Sequence, residues 1–239
     1  MQPIRDTVLK VVSSVQPAAE GPHDDAWVAT QKENIRRGLS RRTSRDLRLP
    51  PRYEKKSLAN FDGLDKVKQR AVSALHNRNV FLWGPCGTGK THLSCGLLLH
   101  LYGDWIAYQP DVQRWDRPRG RFVTCLDFLF DMKARIGAGE SDYALIEDLL
   151  TLDMTALDDF GAGRLTDYTQ EVLSTLINKL YLKNKNGVLI INSNLSLEDI
   201  AQKIDDRTAS RIAEMCEVIK VDGPDRRLQT SAPGARVRQ

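Results

Sequence analysis

The chain has 239 residues, 41% hydrophobic and 28% charged, with a formal net charge of +4, enough for one sizeable α/β core with a modest appendage or for two small domains. No apolar run approaches the roughly 18 residues of a membrane span, and no basic region leads into an apolar stretch at the start, as a secretory signal would. Cys86, Cys95, Cys125 and Cys216 are scattered without a C-x-x-C pair or histidines at zinc spacing, which predicts reduced thiols in a cytoplasmic protein and excludes disulfide-scaffold and zinc-finger classes.

The charge is uneven. Lys and Arg outnumber Asp and Glu by 12 to 7 through Asn60 and by 4 to 1 from Gly223, whereas Phe61 to Asp222 carries 19 against 23. A mildly acidic body with basic ends suits a nucleic acid or an acidic protein surface as partner.

In chain order, Ile4, Val8, Val11, Val12 and Val15 recur at helical spacing and predict a short amphipathic helix, weakened by its β-branched residues. The linker Gln16 to Pro22 follows, then a second helix over Asp24 to Leu39 anchored by Trp27, Val28, Ile35 and Leu39. Two short helices around a linker make no core of their own. The segment is either a disordered leader or a partner-docking module that folds on binding. Ten basic residues lie between Lys32 and Lys56, opposed only by Glu33, Asp46 and Glu54. They form either a solvated face or a phosphate-contacting surface, salt-sensitive and tolerant of sequence because no aromatic residues interleave them. Leu49-Pro50-Pro51-Arg52-Tyr53 closes the region, and a helix through Leu64, Val67, Ala71 and Leu75 is expected beside a nucleotide base.

Gly84-Pro85-Cys86-Gly87-Thr88-Gly89-Lys90-Thr91 satisfies the phosphate-loop spacing G-x-x-x-x-G-K-[ST]. Its flanks supply the required context: the β-prone run Asn79 to Trp83 before it and the buried-helix pattern His92 to Leu101 after it. Glycines let the backbone N–H groups turn inward around phosphates, and the helix N-terminus adds partial positive charge. Lys90 is placed to reach the β- and γ-phosphates and Thr91 to hold Mg²⁺. Oxidation of Cys86 would obstruct that loop. Tyr102 to Arg121 reads as an irregular insertion, Arg121 to Thr124 as a strand, and Asp127 to Ile136 and Ser141 to Leu150 as helices separated by Gly137-Ala138-Gly139.

Met154-Thr155-Ala156-Leu157-Asp158-Asp159 is an apolar strand ending in two acids, the form of a Walker B segment, with Asp158 expected on Mg²⁺ and Asp159 on the attacking water. Thr166 to Leu182 is an amphipathic helix, Val188 to Ile191 a buried strand, and Asn192-Ser193-Asn194 either turn chemistry or a γ-phosphate sensor. Arg207 and Arg211 lie four apart on a helix opened by Asp205 and Asp206. They are either surface partners of those acids or an arginine presented to a neighbouring subunit. A strand over Val218 to Val221 precedes Asp225 to Leu228 and a tail over 229–239.

From Leu49 to Leu228 this order of motifs resembles the AAA+ ATPases of the DnaC-type helicase-loader family. The resemblance is carried by Leu49 to Tyr53, Gly84 to His92, Leu157 to Gly161, Ser193 to Ser196, Ser210-Arg211-Ile212 and Asp225 to Leu228. It implies an AAA+ P-loop NTPase core over 49–228, an α/β fold with a parallel sheet between helices and no α-helical lid domain, preceded by a short helical docking extension over 1–48. It also implies that ATP with Mg²⁺ is bound by Gly84 to His92, with Thr91 and Asp158 on the metal. Lys90, Asp158 and Asp159 would act in hydrolysis, Asn194 as sensor 1, Arg211 as arginine finger and Arg227 as sensor 2. The implied setting is a homo-oligomer with shared ATP sites, a replicative hexameric helicase bound through the N-terminal region, and single-stranded DNA contacted by Lys133 and Arg135 of an inserted helix pair. The second Walker B acid is Asp159, where most AAA+ proteins have Glu, and Asn192 stands where relatives often have Thr. The alternatives are an IstB-type transposition ATPase acting on duplex DNA with a transposase, and a nucleotide-switch protein with no DNA role.

Overall fold

The structure is a computed structural model, described over residues 43–76, 79–108, 118–139, 143–183 and 187–229. The two N-terminal helices expected before Leu39, and most of the basic run, lie outside the described residues.

Among the described residues, five strands form one wholly parallel sheet: β1 (Asn79–Trp83), β2 (Gly120–Thr124), β3 (Met154–Phe160), β4 (Val188–Ser193) and β5 (Cys216–Lys220), in the order β2-β3-β4-β1-β5. Their helices are α1 (Asp65–Ala74), α2 (Lys90–Tyr108), α3 (Cys125–Gly137), α4 (Tyr143–Leu150), α5 (Asp167–Lys183), α6 (Leu197–Lys203), α7 (Asp206–Met215) and the single turn α8 (Arg226–Gln229). Parallel strands covered on both faces read as continuous apolar runs, and here alternate residues face opposite layers. Val80, Leu82, Ala156 and Ile190 pack with Leu93, Leu97 and Leu98 of α2. Phe81, Leu157, Leu189 and Ile191 pack with Phe128, Leu173, Leu176, Ile177 and Ile212 of α3, α5 and α7.

The strand order positions the site. After β1 the chain crosses to the far edge, which opens a crevice at the carboxyl ends of the strands, the usual ligand position in such sheets. It also inserts β4 between β1 and β3, with Leu82 opposite Asn192 and Trp83 opposite Ser193. At the β3–β4 junction the register slips between Leu157 and Phe160, and Asp159 takes a left-handed backbone with φ 55°.

Several boundaries depart from the expectations. Tyr102 to Arg121 is not irregular throughout: α2 runs on through Tyr108, because Leu101 and Tyr102 still face the core. The core begins no later than Thr43. Leu47 is fully buried, and its carbonyl accepts from the Phe122 N–H at 2.7 Å, so residues 43–49 cover the β2 edge. Helix α6 lies outside the elements expected from the sequence, although Ser196 and Asp199 form its capping box. β5 starts at Cys216, two residues before the predicted strand. Among the described residues, only α8 follows β5, and no helix is long and apolar enough to cross a membrane.

Candidate functional site

The phosphate loop bridges β1 and α2. Gly84 has φ 148°, and a Cβ there would run into the Val221 carbonyl; Gly87 has φ 77°, and a Cβ there would strike the Asp225 carboxylate. Gly84 is therefore demanded by backbone conformation and by space, and Gly87 by its backbone conformation, since the Asp225 side chain can swing away. The loop is one wall of a 740 Å³ cleft, which is lined by Cys86 to His92, Asp159, Asn194 and Arg227, together with Tyr53, Asn60, Leu64 and Arg226.

Lys90, 6% exposed, donates to the carbonyls of Gly84 and Pro85 at 2.7 and 2.8 Å and to Asn194 Oδ1 at 2.7 Å. All three ammonium hydrogens are thereby used. Burial pulls its pKa below the usual lysine range, opposed by the negative charge of Asp158 and Asp159. Behind it, Thr91 Oγ1 lies 3.1 Å from both Asp158 carboxylate oxygens. Burial raises the Asp158 pKa, and Asp159 adds to that rise. Hydrogen bonds from Asn192 and Thr91 and the charge of Lys90 act against it. The Thr91 hydroxyl and the Asp158 carboxylate are hard oxygen donors of the kind Mg²⁺ takes. No cluster of three or more acidic, His or Cys side chains suited to a metal occurs among the described residues, so such a cation would complete its shell with phosphate and water oxygens.

His92 organises the contacts between α2 and the segment before α1. Its Nε2 faces the Ser57 carbonyl at 3.1 Å and Asn60 Oδ1 at 2.9 Å. Both are acceptors, since Asn60 Oδ1 already receives the Ser57 N–H, so this ring nitrogen carries the proton. Burial lowers the His92 pKa, which favours that neutral form. The ring meets Phe61 edge to face at 5.1 Å, and the Arg226 guanidinium covers Phe61 at 4.7 Å. The Arg226 N–H donates to the Gly87 carbonyl at 3.0 Å, and its guanidinium donates to the Asp62 carbonyl. The carboxyl-terminal turn thus closes over the loop.

The structure brings Gly84 to His92, Asp158, Asp159, Asn194 and Arg227 together. Arg211 stands apart, outside the cleft wall, with its guanidinium 5.5 Å from the Tyr181 ring. Tyr181 in turn donates to Glu214 Oε1 at 2.8 Å. Lys133 is exposed on α3, with its ammonium 5.9 Å from the Tyr168 ring. Cys86 is exposed, and the other three cysteines are buried, where burial raises the thiol pKa of Cys95 and Cys125. Asn192, which the sequence offers with Ser193 and Asn194 as turn chemistry or a γ-phosphate sensor, lies under the site bonded to Asp158, and of the two amides only Asn194 reaches the cleft wall. Arg226 is a contributor that the sequence does not single out, because its equally basic neighbour Arg227 competes with it.

A model of the IstB-like ATP binding protein family matches residues 27–233. The chain belongs to the IstB-like ATP-binding family. The crystal structure of the DnaC helicase loader is 26% identical with a TM-score of 0.60, covering 72% of this chain and 100% of that one. Two others share the fold. DnaI is 18% identical with a TM-score of 0.53, covering 74% of this chain and 94% of that one. Domain III of the Thermotoga maritima replication initiation protein DnaA is 22% identical, also with a TM-score of 0.53, covering 77% and 72%. No curated protein matches the chain. Membership of the IstB-like family makes this an AAA+ P-loop fold and ATP the nucleotide expected in its cleft.

Proposed function

We propose that the protein is a Mg²⁺-dependent ATPase that helps place a replicative hexameric helicase on single-stranded DNA, with ATP bound between copies of this chain. The observation that carries this reading is the match to the DnaC helicase loader along the whole of that structure, over a core holding the Lys90–Asn194 and Thr91–Asp158 contacts. In this reading Lys90 moves onto the phosphates and Thr91 with Asp158 holds the cation, which neutralises phosphate charge when bound. Asp159 orients the attacking water, and Asn194 and Arg227 contact the γ-phosphate side. Arg211, displaced from its own cleft, serves the neighbouring subunit's ATP. The region 1–48 docks the helicase, Lys133 and Arg135 contact the DNA strand, and hydrolysis releases the assembly.

The test is binding to single-stranded and duplex DNA with and without ATP, combined with helicase co-elution before and after deletion of Met1 to Leu39. Single-strand preference, and helicase association lost with the deletion while ATP binding persists, supports the loader. A second reading, an IstB-type transposition ATPase working on duplex DNA beside a transposase, is favoured by the name of the matching family. Clear duplex preference would replace the first reading with the second.

A further inference from the structure

Asn192, at the carboxyl end of β4, is fully buried and is absent from the cleft wall. Its Oδ1 accepts from Ser94 Oγ at 3.0 Å, and its Nδ2 donates to Asp158 Oδ1. An ionised carboxylate offers only acceptors, so the amide turns its NH₂ to Asp158 and its oxygen to Ser94. Ser94 follows Thr91 by one turn of α2, and Thr91 Oγ1 returns to Asp158. The four side chains form a chain of hydrogen bonds, Ser94 to Asn192 to Asp158 to Thr91, that leaves α2 at Ser94, crosses β4 and β3 and returns to α2 at Thr91. Ser94 and Asn192 are completely shielded from solvent, and Asp158 is 4% exposed.

This arrangement commits Asp158 Oδ1 to Asn192 and leaves the lone pairs of Oδ2 beside the Thr91 hydroxyl. We propose that Asn192 is a positioning residue for a divalent cation accompanying ATP: it fixes the Asp158 carboxylate in the orientation that offers Oδ2, together with Thr91, to that ion. The proposal rests on the Mg²⁺–ATP reading above. Asn192 acts only through Asp158, and Ser94 acts one step further back by holding the amide. An apolar residue at 192 would remove the donor that fixes Asp158 Oδ1 and leave Thr91 as the remaining side chain of this hydrogen-bond chain that holds the buried carboxylate. Side chains that orient a metal ligand typically change metal affinity by about 10- to 100-fold when removed.

The experiment measures two affinities on the full chain: a fluorescent ATP analogue in EDTA, and Mn²⁺ followed by its electron paramagnetic resonance signal with the analogue bound. Asn192→Ala is expected to leave nucleotide affinity in EDTA unchanged and to weaken Mn²⁺ by about 10- to 100-fold. Ser94→Ala moves the same quantity in the same direction by less. Unchanged Mn²⁺ affinity in Asn192→Ala overturns the proposal, and so does an equal loss of nucleotide affinity in EDTA, which marks general damage. If Asn192→Ala does not fold, Ser94→Ala decides, and wild-type Mn²⁺ affinity there counts against the assignment. Failure of the wild-type chain to bind the analogue at all sinks the Mg²⁺–ATP reading instead.

Discussion

The Lys90 ammonium and the Asn194 side-chain oxygen lie 2.7 Å apart, joining the phosphate loop to the loop that follows β4. The Gly84 and Pro85 carbonyls take the other two hydrogens; in the proposed function Lys90 would exchange these partners for phosphate oxygens when ATP enters, releasing Asn194 toward the cleft. Lys90→Ala is expected to abolish ATP binding. Asn194→Ala removes only an acceptor that competes with phosphate, so ATP affinity is retained while turnover falls by about 10²-fold, the scale for losing one preorganised polar group. Equilibrium binding paired with single-turnover hydrolysis separates the two, and wild-type turnover in Asn194→Ala would remove the sensor role.

Asp158 gives a pH-dependent prediction in the nucleotide-free protein. Its pKa is raised chiefly by burial, so the folded chain takes up this proton more readily than the unfolded chain. The associated stability is fully present below the unfolded value and is lost as pH rises through the folded one. At neutral pH the buried charge therefore costs stability, and Asp158→Asn is expected to raise the thermal midpoint. That advantage shrinks on acidification toward about pH 4, where the unfolded carboxyl also binds its proton. Calorimetry across this range checks both the sign and the window. A midpoint difference that stays constant with pH would show that charge burial is not its source.

Asp159 combines a position on the cleft wall with a left-handed backbone at φ 55°, a conformation that Asn and Asp tolerate better than other non-glycine residues. Asp159→Asn should preserve the fold and ATP binding while lowering hydrolysis by about 10²-fold or more, the usual contribution of a general base. Asp159→Val, β-branched where φ is positive, should lose about 1–2 kcal/mol of stability in denaturant titration. Equal stability of the Val and Asn variants would remove the backbone argument.

Arg211 rests beside Tyr181 rather than in its own cleft. If it completes a neighbour's site, Arg211→Ala binds ATP normally but loses the rise in specific activity with protein concentration, by about 10³-fold at full assembly. Mixing this variant with Lys90→Ala should restore part of the activity, because each supplies what the other lacks. Rescue would not occur if Arg211 served its own subunit, and wild-type turnover in Arg211→Ala would shift attention to Arg207.

Local chemistry made much of this protein legible from its residues alone. The glycine spacing from Gly84 to Thr91 is dictated by backbone conformation, and the β1 and α2 patterns flanking it are apolar runs of strand and helix length. The acids Asp158 and Asp159 close a strand whose burial is written in its own composition. What depends on distant parts of the chain was not legible. Strand order alone places β4 between β1 and β3, and so brings Asn194 to Lys90 and Asn192 to Asp158 across about 104 and 34 residues of sequence. Leu47 reads as part of a basic leader until the β2 edge offers it a hydrogen-bond partner. Arg226 gains its contacts with Gly87, Phe61 and Asp62 only because β5 returns the chain beside β1. Spacing and composition determine which elements form and which chemistry they can carry. Which side chains meet is decided by packing, since contacts between distant residues depend on the closed sheet and leave no local pattern.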